Sequence, residues 1–240
     1  VQEVVPFSEL SSPLKSETSL NINIGLRYKP SDNFSFDFNL FNNKVNDLIE
    51  WKLVAKDENN INIYSYFNVN QVETKGLEFN TTYKKSDNWE IKFGYQLLYA
   101  YDTEVVKDIE KDDSDYYALD TETLTSIKLN KDDYFGLFNR SRHMANIKLN
   151  YNLNDKTDLN AMLTYRSKYA LSDSNGNEIL DTYDKFIDGY SLCDVGVTHH
   201  INPLQSCQIG IKNIFGFTNP EYISNITGRL YYINFKINFK

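Results

Sequence analysis

The feature that most constrains the fold is a strict alternation of apolar and polar residues along many segments of the chain. In the clearest segment, apolar or aromatic residues occupy nearly every second position from Trp89 to Tyr101, and polar residues such as Lys92 lie between them. Successive side chains of a β-strand point to opposite faces, so a period of two predicts strands with one apolar and one polar face. No segment has a comparable helical period. We therefore predict an all-β fold.

Nine segments of the chain fit the strand pattern. They span residues 18–29, 33–52, 61–84, 88–101, 141–152, 157–170, 188–201, 206–215 and 228–240. Short turns rich in Asn, Asp, Ser and Pro alternate with long polar connections. The predicted long connections are residues 53–61, 102–139, 171–188 and 216–227. This order predicts an antiparallel up-and-down meander with its short turns at one end and its long loops at the other, as in transmembrane β-barrels.

The composition excludes several classes of protein but leaves a membrane barrel open. The net charge is −8, which argues against a nucleic-acid partner. No apolar run approaches the roughly 20 residues of a transmembrane helix. A barrel formed by a single bacterial chain has an even number of strands. The nine predicted strands therefore indicate part of a larger barrel whose earlier strands are absent. Two cysteines form no disulfide framework. Cys207 is expected opposite about His199, roughly 20 Å from Cys193 along the strands, which predicts free, lipid-facing thiols.

The alternating pattern has two structural interpretations. In a secreted β-sandwich or adhesin-type binding module, the apolar face is covered by a second sheet. In a wide barrel, the apolar face contacts the lipid bilayer and the polar face lines the lumen. Long strands and the Tyr and Trp residues near strand ends favour the barrel. The predicted lumen-facing residues are Arg27, Glu78, Glu90, Lys92 and Arg166.

Several short segments, taken in order, resemble motifs of the TonB-dependent outer-membrane receptors. Residues 13–19, followed by Ile24-Gly25-Leu26-Arg27-Tyr28, are similar to an early barrel segment of that family. Residues 67–70 and Thr74-Lys75-Gly76-Leu77-Glu78 resemble a later strand. Asn213-Ile214-Phe215 and the closing residues 228–239 resemble the family's last strands. Two positions depart from the pattern: Ser16 replaces a usual proline, and Lys240 follows the expected terminal aromatic residue.

The resemblance implies a complete receptor of 22 barrel strands with an N-terminal plug that contacts the TonB complex. Residues 1–240 would then be the C-terminal part of the barrel, with the plug and the earlier strands absent, in the cell outer membrane. The implied function is TonB-energised uptake of a bulky, scarce nutrient such as a siderophore or cobalamin, as a small molecule or metal chelate. A passive porin-like channel remains an alternative. No catalytic motif is found, so we predict no enzyme.

The longest connection is strongly acidic. Residues 102–134 contain eleven Asp or Glu residues and four lysines. Carboxylates on an outward loop attract a cationic or metal-bearing ligand, although such a loop is also typical of a mobile, solvated surface. The predicted ligand-binding residues here and at the next strand start are Asp112, Asp113, Asp115, Tyr116, Tyr117 and His143.

A second polar connection has side-chain oxygens at alternate positions. Asp173, Asn175, Asn177 and Asp181 have the ligand type that Ca²⁺ prefers, so calcium in loop 173–184 is one hypothesis. The position of Gly176 and the use of Asp184 as the twelfth residue differ from a calcium-binding loop, and an ordinary turn is the alternative. No other cofactor is expected.

Overall fold

Most of the chain forms one large antiparallel sheet, and smaller elements lie in the connections between its strands. The structure, a computed structural model, describes residues 2–3, 13–86, 88–111, 115–120 and 125–239. The strands are β1 (Gln2–Glu3), β2 (Thr18–Ser31), β3 (Phe34–Lys56), β4 (Asn62–Ser86), β5 (Trp89–Asp102), β6 (Tyr117–Asp120), β7 (Thr125–Lys128), β8 (Tyr134–Gly136), β9 (His143–Asn154), β10 (Thr157–Arg166), β11 (Leu180–Asp181), β12 (Tyr190–Asn202), β13 (Gln205–Lys212) and β14 (Leu230–Ile237), and one helix is α1 (Thr103–Ile109).

The nine long strands form an up-and-down meander. Each is hydrogen-bonded to the next in the order β2-β3-β4-β5-β9-β10-β12-β13-β14, and every pairing is antiparallel. The short strand β1 adds a tenth member by pairing with the far end of β3. Within the described ranges, the first and last strands do not pair, so the sheet is open rather than closed into a barrel. The prediction of an all-β meander of about nine strands is therefore confirmed.

The predicted long connection at residues 53–61 is wrong. Strands β3 and β4 continue through it and pair as far as Lys56 with Asn62, which leaves a tight turn. Asp57 closes this turn by accepting hydrogen bonds from the backbone N–H groups of Asn59, at 2.9 Å, and Ile61, at 2.7 Å. The polar side chains of this segment indicated a loop, but they belong to strands that extend far past the neighbouring ones.

One face of the sheet is apolar and uncovered. Register places Leu26, Phe38, Phe79, Tyr95 and their cross-strand neighbours on this apolar face. Ile24 and Ile233, on the same face, expose 67% and 60% of their surface. A β-sandwich would bury such residues against a second sheet. In the described residues the other two sheets are two-stranded and lie in the connections, so the sandwich alternative is not supported.

The apolar face has the height of a bilayer. On β5 its side chains run from Trp89 to Tyr99, a rise of about 33 Å along the strand. At a tilt of about 45° this corresponds to roughly 25 Å, the apolar band of an outer-membrane barrel. Trp89 stacks against Tyr151 at the end with the short turns, with ring centroids 4.7 Å apart. None of the described helices is long and apolar enough to cross a membrane.

The cysteines give a direct test of the apolar face. Both are free, and Cys207 pairs with His199 as predicted. Register places Cys193 opposite Leu163, which is opposite Ile147, so Cys193 is at mid-height of the band. We expect a bimane label on Cys193, in a Cys207→Ala background, to be quenched by lipids with a doxyl group on the acyl chain. The same label at Asn59→Cys, with both native cysteines replaced, should not be quenched; equal quenching would contradict the assignment.

Candidate functional site

The opposite, polar face of the sheet brings together all five residues predicted to line a lumen. Arg27 pairs in register with Asp37 and then with Asn80. In the next polar row, Glu78 is connected to Arg166 through Gln96 and Met144 on the strands between them. Glu90 and Lys92 follow on β5. All five lie on one face of the sheet, whereas their predicted contact with a lumen, a plug or a ligand stays a prediction.

Most charges on this polar face are paired within the sheet. Arg27 forms an ion pair and hydrogen bond with Asp37. Lys92 Nζ is 3.0 Å from Glu90 Oε1, which also accepts a hydrogen bond from Asn150. Lys92 is directly opposite Lys148 in register. Like charges in this position repel each other, and Glu90 offsets that repulsion for Lys92.

A cavity of about 540 Å³ lies on the polar face, near the end of the sheet with the long loops. Its polar lining includes Glu78, Gln96 and Arg166. Gln96 donates to Glu78 at 2.9 Å. Arg166 is fixed by Ser141 Oγ at 2.7 Å and by the two oxygens of Asn139, each at 3.2 Å. These hydrogen bonds fix a cation and a carboxylate in the lining of one open cavity.

The two longest connections fold together at the end of the sheet with the long loops. We call residues 103–111, 115–120, 125–137 and 171–188 the loop unit. Its strands β8 and β11 pair across the two connections, and Asn177 Nδ2 donates to the carbonyl of Tyr117 at 3.1 Å. The buried residues Ile109, Ala118, Leu129, Tyr134 and Ile179 form its core. In its described part, the acidic connection is therefore packed rather than a solvated chain.

Helix α1 and Tyr134 attach the loop unit to the sheet. Asp102 caps α1 by accepting hydrogen bonds from the N–H groups of Glu104, at 2.7 Å, and Val105, at 3.4 Å. The hydroxyl of Tyr134 accepts a hydrogen bond from the N–H of Asp102 at 3.1 Å. Burial raises the pKa of Tyr134 to about 12, so the phenol is neutral at physiological pH.

The residues of the calcium hypothesis bond mainly to one another and to the backbone. Asp173 accepts hydrogen bonds from the N–H groups of Asn175, Gly176 and Glu178. Asn175 and Asn177 donate to Asp181 Oδ2 at 3.0 and 2.7 Å. Within the described ranges, no group of three or more His, Cys, Asp or Glu side chains has a metal-binding arrangement. Calcium binding at loop 173–184 stays a prediction without structural support.

Asp184 gives the loop unit a pH dependence that can be measured. Burial raises the pKa of its carboxyl, although hydrogen bonds from Ser174 and from the N–H of Asp181 partly oppose the shift. A carboxyl with a raised folded-state pKa favours folding at low pH, and this contribution is lost as pH rises through the raised pKa.

We therefore expect hydrogen exchange in residues 171–188 to increase as the pH rises above the ordinary carboxyl range, after correction for the intrinsic rate. In Asp184→Asn this pH dependence should be smaller. An unchanged profile in the variant would exclude Asp184 as its source.

The predicted ligand-binding residues do not form one cluster. Asp115 is exposed at the edge of the loop unit and Tyr117 is exposed on β6, whereas Tyr116 packs partly into the core. Burial raises the pKa of Tyr116. His143 is opposite Leu97 on the apolar face, with Nδ1 2.8 Å from the hydroxyl of Tyr95. Asp112 and Asp113 lie outside the described residues.

The motif residues that carried the resemblance act as structural joints. Asn68 binds the entering segment in both directions: its Oδ1 accepts from the N–H of Lys15 at 2.7 Å, and its Nδ2 donates to the carbonyl of Lys15 at 2.9 Å. Asn213 adopts a positive φ of 50° after β13 and bridges Phe217 and Thr227 through its side chain. Asn68 therefore attaches the entering segment to β4, and Asn213 shapes the connection that follows β13.

A single-layer meander with a bilayer-high apolar face and an opposite polar face is the architecture of an outer-membrane β-barrel wall. A family model described as TonB dependent receptor-like, beta-barrel, matches residues 5–214. The chain belongs to this family of TonB-dependent receptor barrels, and the prediction from the ordered motifs is confirmed. No curated protein sequence is significantly similar to it.

Solved structures of receptors and transporters share the fold. The ferric enterobactin receptor PfeA of Pseudomonas aeruginosa, in complex with enterobactin, is 20% identical with a TM-score of 0.64, over 94% of this chain and 32% of that one. The copper transporter OprC is 14% identical with a TM-score of 0.62, over 95% and 32%. The ferric-catecholate import receptor Fiu of E. coli K12 is 14% identical with a TM-score of 0.58, over 94% and 28%.

These comparisons define the location and class of the protein but leave its ligand open. The chain spans about a third of the length of these structures. Identities this low establish the fold alone. The family and its structural neighbours are outer-membrane receptors and transporters, not enzymes, which agrees with the predicted localisation and class.

Proposed function

We propose that residues 1–240 are the C-terminal part of a receptor barrel that takes up a bulky, scarce nutrient, in the form of a metal chelate or similar small molecule, with energy from the TonB complex. A plug domain and the remaining strands complete this receptor. The main support is the open cavity on the polar face, whose lining contains both Glu78 and Arg166, each fixed by hydrogen bonds.

The two charged sites have different proposed tasks. Asp115 and Tyr117, exposed on the loop unit, meet the ligand first, and the predicted residues Asp112 and Asp113 belong to the same acidic connection. Arg166, Glu78 and the other lumen-facing residues then contact the plug or the passing ligand. The neighbours named for enterobactin, catecholate and copper favour a metal or metal chelate as the cargo.

The test is uptake by cells that contain the receptor to which this chain belongs. A receptor-deletion strain, with and without the restored gene, is supplied with radiolabelled ferric catecholate, ferric hydroxamate, free copper or cobalamin. We expect saturable uptake of one of these ligands that stops when TonB is deleted. Arg166→Gln should lower uptake, whereas Lys148→Gln, on the same face but outside the cavity lining, should not.

Two results would contradict the proposal. One is restored uptake that continues unchanged without TonB and extends to small sugars, which is the behaviour of a passive channel. The other is the absence of any difference between the restored and deletion strains for all four ligands.

A further inference from the structure

The extended hairpin of β3 and β4 has one edge that the described part of the chain leaves open. Strand β5 pairs with β4 only from Val72 onwards, and the hydroxyl of Thr103, the first residue of α1, donates to the backbone carbonyl of Gln71 at 3.1 Å. Nearer the tip of the hairpin, β4 pairs with β3 alone among the described strands. We call this stretch of β4, residues 62–70, the open edge.

The hydrogen bonding of β3 shows which backbone groups the open edge presents. The N–H of Ile49 donates to Glu17 Oε1, on the β2 side, at 2.6 Å, so it points away from β4. Ile49 is opposite Asn68 in register, and in such an antiparallel pair both residues direct their backbone groups outwards. Two residues further, Tyr66 therefore directs its N–H and C=O groups to the open side as well. Within the described residues, no group bonds to these outward groups of Tyr66.

The chain closes the opposite edge of the same hairpin by adding a strand. There β1 pairs antiparallel with the end of β3, with Glu3 opposite Ala55. The hairpin therefore already accepts an extended segment as an additional strand at this height. Strand addition of this kind is also a common way for proteins to bind extended peptides.

The open edge lacks the residues that usually protect an exposed strand. Native edge strands carry charged side chains, above all lysine, or proline. From Asn59 to Gln71 the sequence contains no Lys, Arg, Asp, Glu, Gly or Pro. Ile63 and Tyr66 expose 40% and 64% of their surface. A long, uncharged edge of this kind is a template for another strand.

Acidic residues flank the open edge at both ends. Asp57 and Glu58 lie in the turn at the tip of the hairpin. At the other end, Asp102 is opposite Val72, and the connection that begins there, residues 102–134, contains eleven Asp or Glu residues and four lysines. A segment that pairs with the open edge lies between these two negative regions, which favours basic residues at both of its ends.

We propose that the open edge binds an extended segment of a partner protein by strand addition, and that this segment is uncharged in its centre and basic at both ends. Backbone hydrogen bonds supply the affinity, and the acidic flanks select the partner's basic ends. The site goes beyond nutrient uptake, because its occupant is a second protein at the outer surface of the cell.

Peptide binding to the purified, complete receptor tests the proposal. The probe is a fluorescent peptide of alternating threonine and valine with lysines at both ends, and a second peptide has glutamates in place of the lysines. We expect the lysine peptide to bind more tightly. Tyr66→Pro should weaken its binding about tenfold relative to Tyr66→Thr, because both changes remove the ring but only proline removes the outward N–H. Pairing of β4 with β3 does not use this N–H, so proline is tolerated there.

Hydrogen exchange locates the bound peptide. Exchange in residues 62–70 should slow when the lysine peptide binds, whereas exchange in β13 should not change. Faster electrophoretic migration before boiling verifies that each variant is folded.

Four results would overturn the proposal. Two of them are equal binding of the two peptides and equal binding by Tyr66→Pro and Tyr66→Thr. The third is slow exchange along the whole open edge before peptide is added, because the receptor's own strands would then cover it. The fourth is self-association of the receptor that Tyr66→Pro abolishes, which would assign the open edge to a second copy of the chain.

Discussion

Replacing Gly76 with alanine is expected to remove most of the folded receptor from the outer membrane. A Cβ at this position would be 1.9 Å from the backbone carbonyl oxygen of Leu97 and 2.9 Å from Phe41 Cζ. The carbonyl belongs to the paired strand and cannot move without breaking the register of β4 with β5. We expect a loss of about 3 kcal/mol or more in folding free energy, measured as loss of the heat-modifiable band in outer-membrane fractions.

Gly25→Ala is the matched control for this variant. Gly25 also lies within a long strand, but a Cβ there would be 3.5 Å from the carbonyl oxygen of Phe38, an ordinary contact. Its folded yield should stay near that of the wild type. If Gly76→Ala assembles as well as Gly25→Ala, the tight approach of β4 to β5 is not a requirement of the fold.

The substitution Asp181→Ala is expected to destabilise the loop unit. Asp181 is fully buried, and its carboxylate accepts hydrogen bonds from Asn175, Asn177 and the N–H of Tyr183. Alanine would leave these half-buried donors without their acceptor, a loss of about 1 kcal/mol for each hydrogen bond. We expect β11 to separate from β8 and the loop unit to become sensitive to protease, while the sheet stays assembled.

Limited proteolysis of intact cells measures this effect, because the loop unit belongs to the end of the sheet with the long connections. Asp188→Ala makes the same chemical change at an exposed position of the same connection and should leave the cleavage pattern unchanged. Equal protection of the two variants would show that the carboxylate of Asp181 does not stabilise the pairing of β11 with β8.

The sheet could be predicted because one physical constraint determines it. Each strand separates an apolar from a polar environment, so the period of two is present in the sequence and also fixes the register. That is why Glu78, Glu90 and Arg166 were assigned correctly to one face. The pairing of Cys207 with His199 follows from the same rule together with a short turn.

The loop unit could not be predicted, since its core comes from two connections far apart in the chain. Ile109 and Ile179 share one core in the loop unit, where β8 pairs with β11. Helix α1 has seven residues, too few to show a helical period in the sequence. His143 was assigned by its position near the acidic connection, whereas its register with Leu97 decides which face it occupies.

Strands β3 and β4 extend beyond the neighbouring strands. The end of this hairpin is therefore the part of the sheet that other molecules are expected to meet first at the cell surface. The lipid-facing positions change from Leu40 to Asn42 and Lys44 where the hairpin leaves the hydrocarbon, yet pairing continues to Lys56. The remaining length of the hairpin is about 45 Å along the strand. Neither β2 nor β5 pairs with it over this full length. Residues 58–61 at its tip are exposed, and we accordingly expect this turn to be accessible to antibodies, phages and inserted epitope tags.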